Sequence, residues 1–209
     1  MVAVPSPTRL LLATTNAGKL REIRDILGGL PMALVALDDH PPIAEPLETG
    51  ATFAENAQLK ARYYAEMTGD PTVAEDSGLE IAALDGEPGV RSARFNGESY
   101  QQKFQTIARM LDERGTSTSR ARFVCAVAVW LDDCIVWETT GVVEGRLQLP
   151  PQGGEGFGYD PIFLYPPYGR TLAEVSTAEK AAISHRGKAF RALRTHLQSQ
   201  LSQHHSASL

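Results

Sequence analysis

The chain has 209 residues, of which 43% are hydrophobic and 22% charged, and its formal net charge is −5. These values fit a folded globular protein and exclude a disordered or fibrous one, while the acidic balance argues against general nucleic-acid binding, which draws on an excess of Lys and Arg. No apolar run approaches the roughly 20 residues that span a bilayer, and the start Met1 to Thr8 lacks a charged n-region, so a cytoplasmic protein with neither membrane nor nucleic-acid partner is expected.

Taken in order, Arg9 to Thr14 reads as a buried strand, Asn16 to Lys19 as a polar turn, and the following segment as a helix with Leu20, Ile23 and Leu27 on one face, closed by Gly28 and Gly29. Met32 to Leu37 predicts a second strand, and the Pro- and acid-rich stretch from Asp38 to Gly50 a mobile loop. Thr52 and Glu55 form a capping-box pattern that opens a helix running to about Thr68 and carrying Lys60. A short strand then leads into Glu75-Asp76-Ser77-Gly78, with the two acids expected at its end. An unpaired buried carboxylate costs several kcal/mol, so that end is expected to open to solvent or onto a cation.

Asp85 to Arg94 is a glycine- and proline-punctuated loop, followed by a helix whose Phe104, Ile107, Met110 and Leu111 form a core stripe. Arg122 to Leu131 and Ile135 to Leu147 predict two long strands turning at Asp132-Asp133, a hairpin at the centre of the sheet. Gly153 to Pro161 is a loop, and Thr177 to about Leu201 is helical with an interruption near Ser184 to Gly187. Cys125 and Cys134, both in apolar surroundings, read as small buried hydrophobes. His204 and His205 lie in a Gln/Ser-rich tail and receive no role. The whole chain reads as one domain over 1–209, with flexible tails at 1–7 and 202–209.

Five segments carry chemistry. Thr14-Thr15-Asn16-Ala17-Gly18-Lys19 delivers hydroxyls, an amide, a glycine and a lysine to the first turn of a helix, where backbone amides and the helix dipole favour an anion such as phosphate. It lacks the spacing of a Walker-type loop. Glu48 and Asp76 sit on separate elements that can reach one mouth of the fold. Carboxylates facing a phosphate suggest Mg²⁺, which usually takes one or two protein carboxylates plus phosphate oxygens and water. Phe157, flanked by glycines, offers a flat face to a base, and Ser184-His185-Arg186 offers donors at a helix start. Glu75, next in sequence to Asp76, should point to the opposite face of the strand.

In this order, together with Glu48 to Asn56 and Pro88 to Arg94, these segments resemble the inosine/xanthosine triphosphate pyrophosphatase (Ham1-like) family from Leu10 to about Leu197. The resemblance implies an α/β fold of two lobes around a cleft with a long mixed β-sheet, a homodimer, and Mg²⁺-dependent hydrolysis of ITP, dITP and XTP to monophosphate and pyrophosphate. It also implies that Asp76 is the catalytic, metal-binding acid, with Glu48 a second metal ligand and Lys60 a catalytic cation. Thr14 to Lys19, Lys60 and Ser77 would contact phosphates and sugar. Phe157, Gly158, Tyr159, Asp160, Lys180, His185 and Arg186 would hold the base. Thr15 stands where many relatives have Gly or Ser, and Glu75 where bacterial relatives often have Asp. Whether Asp76 takes a proton or only fixes the metal stays open at this point, and the alternative readings are a Maf-like nucleotide pyrophosphatase and a catalytically silent nucleotide- or RNA-binding module.

Overall fold

The computed structural model describes residues 8–97 and 99–207, with side chains through 202. The tails expected at 1–7 and beyond 202 thus fall largely outside the described residues. The elements are β1 (Arg9–Ala13), α1 (Ala17–Leu27), β2 (Ala33–Ala36), α2 (Phe53–Thr68), β3 (Thr72–Ile81), α3 (Tyr100–Glu113), β4 (Arg120–Leu131), β5 (Cys134–Leu147), β6 (Phe163–Tyr165), β7 (Arg170–Thr171), α4 (Thr177–Ile183) and α5 (His185–Ala207). The result is a mixed α/β fold on one seven-stranded sheet in the order β2-β1-β3-β4-β5-β6-β7. No described helix is long and apolar enough to cross a membrane.

The chain divides into two compact units. One comprises Met1–Asp76, Ala126–Thr140 and Arg186–Leu209, and the other Ser77–Cys125 and Gly141–His185. In the first, β1 pairs in parallel with β2 and with β3, and Ala13 stands opposite Ala74. That register matters for chemistry, because the turn after β1 and the residues after Ala74 leave the paired region side by side. Leu10, Leu11 and Leu12 are fully buried, as an apolar strand in a parallel arrangement should be.

In the second unit, β5, β6 and β7 pair antiparallel, and Leu79, Ile81, Phe104, Ile107, Leu111, Phe123 and Phe163 belong to one apolar cluster. Gly78 has a packing reason to be glycine. A Cβ there would stand 2.3 Å from Ser92 Oγ and 2.6 Å from the Gly89 carbonyl, so the 3-10 segment Gly89–Arg94 lies directly against β3. Ser92 Oγ accepts the Leu79 N–H at 2.9 Å and fixes that approach.

Local sequence signals produce the expected helices. Asn16 caps α1 by accepting the Lys19 N–H at 3.0 Å, and Thr52 and Glu55 close the capping box of α2. The hairpin turn at Asp132-Asp133 has both residues at positive φ, 49° and 60°, which suits a two-residue turn between twisted strands. Two expectations change. Cys125 is buried but Cys134 is exposed, because it is the first residue of β5, directly after that turn. The final helix also runs further, its backbone helical through Ala207, and Ser184 separates it from α4.

Candidate active site

The acidic pair on β3 is buried within the strand and does not sit at its end. Glu75 is 3% and Asp76 6% exposed, and β3 continues to Ile81. The strand end suggested by the sequence is in fact the end of β1's pairing, at Ala74. Burial is possible because each carboxylate has its own cations. Glu75 accepts from Lys19 at 2.5 Å and from Arg186 at 3.4 Å, while Asp76 accepts from Lys60 at 3.0 Å and from Asn56 Nδ2 at 3.1 Å. The two partner sets follow from the strand's alternation, which sends adjacent side chains to opposite faces.

Burial acts to raise the Glu75 pKa, but Arg186, Lys19 and Lys60 outweigh it and hold the carboxyl well below its ordinary value. Asp76 moves the other way. Its burial raises the pKa, and Lys60 offsets this only in part. The difference comes from how Lys60 is shared. Its ammonium also lies 2.8 Å from Glu48 Oε1, and burial, which lowers its pKa, is overcome by Asp76, Glu75 and Glu48 together. One lysine serves three carboxylates, so Asp76 receives only a share.

Glu48, Lys60 and Asp76 are therefore brought together as expected. Among the described residues no group of three or more His, Cys, Asp or Glu side chains converges on one point. Glu48 and Asp76 are two carboxylates around one held positive charge. This donor set fits Mg²⁺ that takes its remaining ligands from phosphate and water, and it does not fit an all-protein cage.

The turn from Thr14 to Lys19 closes on itself, Thr14 Oγ1 accepting the Asn16 N–H at 3.2 Å. Thr15 donates to Glu45 Oε1 at 2.6 Å, tying the turn to the loop that carries Glu48. Ala17 and Gly18 begin α1. Ser77 follows Asp76 on β3 and is the first residue of the second unit.

In that second unit Phe157, Gly158, Tyr159, Asp160 and Lys180 assemble. Lys180 Nζ lies 2.6 Å from Asp160 Oδ2 and 4.3 Å from the centre of the Phe157 ring. Asp160 Oδ2 also accepts the Phe157 N–H at 2.8 Å, and a Cβ on Gly156 would stand 2.2 Å from the same oxygen, which leaves glycine as the residue that fits there. His185 is buried and stacks on Phe123 with ring centres 4.7 Å apart. Arg186 belongs to the first unit, where its buried guanidinium meets Glu22 at 2.8 Å as well as Glu75. Asn56, Glu22 and Glu45 are participants that sequence reasoning missed. Only Asn56 carried a hint, lying one residue beyond the Glu of the capping box.

Comparison with known families matches residues 10–196 to the Ham1 family. The chain belongs to the Ham1 family. A relative from Streptomyces coelicolor called dITP/XTP pyrophosphatase is 48% identical over 190 residues, covering 89% of this chain and 95% of that protein. One of the same name from Thermus thermophilus is 46% identical, covering 88% and 89%. Among solved structures, a HAM1 protein from Coxiella burnetii superposes with a TM-score of 0.82 at 40% identity, covering 91% of this chain and 98% of that one. The Staphylococcus aureus Ham1 protein gives the same TM-score at 34% identity, covering 92% and 99%. Ham1 structures thus share the α/β fold seen here.

Proposed function

We propose that this Ham1 protein hydrolyses noncanonical purine nucleoside triphosphates, ITP, dITP and XTP, to the monophosphate and pyrophosphate. The observation that carries the reading is the Lys60 ammonium held between Glu48 and Asp76, beside a helix-capping turn suited to phosphate. The names of the relatives point to the same reaction. A triphosphate repels an incoming nucleophile, and at an effective dielectric of about 20 a cation 4 Å away offsets roughly 4 kcal/mol of that repulsion. Lys19 and Lys60 supply fixed cations. Glu48 and Asp76 would hold Mg²⁺, which when bound neutralises phosphate charge.

Asp76 is assigned as the acceptor of the proton from the water that attacks the α-phosphorus. Its upward-shifted pKa suits that role, and Asn56 and Lys60 hold one carboxylate oxygen each. The α–β bond then breaks and pyrophosphate leaves. Glu75, held ionised by Lys19 and Arg186, fixes the positions of those two cations.

Base choice is assigned to Phe157 through Asp160 with Lys180 and His185. Arg186 would add its base contact to the task of pairing Glu75. A 6-oxo purine presents acceptors at O6 and N7 that such donors satisfy, whereas adenine presents an amino donor. Mismatches of this kind can cost about 10⁴-fold in selectivity. A cytoplasmic homodimer belongs to the same proposal. The test is a rate comparison of dITP, XTP, dGTP and dATP with and without Mg²⁺. Metal-dependent turnover that favours dITP and XTP supports the reading, and equal rates on all four would overturn it.

A further inference from the structure

Lys103 is only 4% exposed on α3, and its ammonium donates to the carbonyls of Ala93 at 2.5 Å and Ser92 at 3.4 Å. Its third neighbour is the Tyr100 ring, one helical turn away, with Nζ 4.7 Å from the ring centre. Taking an ammonium out of water costs several kcal/mol, and burial lowers the Lys103 pKa. Two carbonyls and a ring face offset that cost less well than a carboxylate would. The position therefore calls for an explanation in what it organises.

What it organises is the setting of the Phe157–Asp160 loop. The Ser92 carbonyl that accepts from Lys103 also accepts the Tyr159 hydroxyl at 2.8 Å. The Tyr159 ring in turn meets the Tyr100 ring edge-on, with centres 5.2 Å apart and planes at 90°. Tyr100 is thus held by Lys103 on its face and by Tyr159 at its edge, yet it remains 40% exposed. Its hydroxyl lies 3.5 Å from where a Cβ on Gly158 would stand, and burial together with the nearby Asp160 charge raises its pKa. A rigidly supported phenol, half in solvent, borders the loop that carries Phe157 and Asp160.

We propose that Tyr100 is a specificity-determining residue forming an outer wall of the purine subsite beside Gly158, and that Lys103 is the positioning residue that holds it there. The proposal rests on the reading of the Phe157–Asp160 loop as the base-holding element.

The experiment is steady-state kinetics on dITP, XTP and dGTP for the wild type, Tyr100→Ala, Lys103→Met, Lys103→Arg and the Tyr100→Ala/Lys103→Met double variant. Tyr100→Ala is expected to raise KM for dITP and XTP about tenfold, the scale of one lost base–aromatic contact, and to narrow the preference over dGTP, with kcat nearly unchanged. Lys103→Met should reproduce that KM shift, Lys103→Arg should restore most of it, and the double variant should be no worse than Tyr100→Ala alone. Unchanged KM and preference in Tyr100→Ala, on an active wild-type background, would overturn the proposal while leaving the activity standing. Independent, additive effects in the double variant would overturn the positioning role. A wild type that releases no pyrophosphate from dITP or XTP would overturn the activity itself, and the subsite with it. Should Lys103→Met fail to fold, Tyr100→Ala alone decides the wall.

Discussion

Lys60 holds Asp76 at 3.0 Å while Asn56 holds its other carboxylate oxygen at 3.1 Å, so the residue assigned to proton transfer is fixed at both ends. Replacing it tests the assignment directly. Asp76→Asn should keep much of its nucleotide binding and lose at least about 10²-fold in turnover, the usual scale for a removed general base. Single-turnover kinetics with dITP separate the two effects.

The second oxygen makes Asn56 testable in the same way. Asn56 Oδ1 also accepts the Gly50 N–H at 2.8 Å, which links the Glu48-bearing loop to Asp76 through one side chain. Asn56→Ala leaves the buried Asp76 Oδ2 and the half-buried Gly50 N–H without that partner and should cost about 1–3 kcal/mol of stability. Loss of a supporting hydrogen bond to a ligating carboxylate typically lowers activity or metal affinity about 10–100-fold. Urea unfolding and the Mg²⁺ dependence of turnover measure the two.

Lys60 occupies the place where Glu48 and Asp76 share positive charge. Lys60→Met should therefore lower turnover by about 10²-fold or more, as the loss of a transition-state cation does. It should also raise the affinity of the protein for Mg²⁺ in the absence of nucleotide, because the two carboxylates lose their competing ammonium. Calorimetric titration with Mg²⁺ alone reads the second effect, and an unchanged or weaker affinity would count against the shared-charge account.

The neighbouring carboxylates should respond to acid with opposite signs. Glu75 starts from 4.5 and is driven well below it in the folded protein, so its stabilisation is fully present above about 4.5 and is lost as pH falls through the folded value. Asp76 is raised above 3.8, so its ionised form weakens the fold, and that weakening fades as pH falls through its folded pKa. Glu75→Gln removes the buried carboxylate that Lys19 and Arg186 share and should cost roughly 3–5 kcal/mol at neutral pH, with a flatter acid limb. Asp76→Asn should cost far less or stabilise. Urea melts across acidic pH distinguish the pair.

Much of this was legible from local sequence. The Thr14 to Lys19 turn, the Thr52 capping box and the Asp132-Asp133 hairpin all depend on neighbours within a few positions, and the fold realises each. What could not be read depends on distance in the chain. The burial of Glu75 rests on Arg186, 111 residues away, and on Lys19, and without those partners the acid pair pointed to an open strand end. Asn56 reaches Asp76 across 20 residues, and Tyr159 reaches Ser92 across 67. The strands β6 and β7 are three and two residues long, too short for a period to register. The apolar neighbours of Cys134 describe the strand, while its exposure is set by the turn before it.

If water attacks the α-phosphorus of a purine triphosphate in a site built around Lys60 and Asp76, the products identify the bond that breaks. Phosphorus NMR of the products from dITP with Mg²⁺ tests this attack most directly. The expected products are dIMP and pyrophosphate in equal amounts, formed by the wild type and not by Asp76→Asn. Release of dIDP and inorganic phosphate, or undiminished pyrophosphate formation by Asp76→Asn, would contradict it.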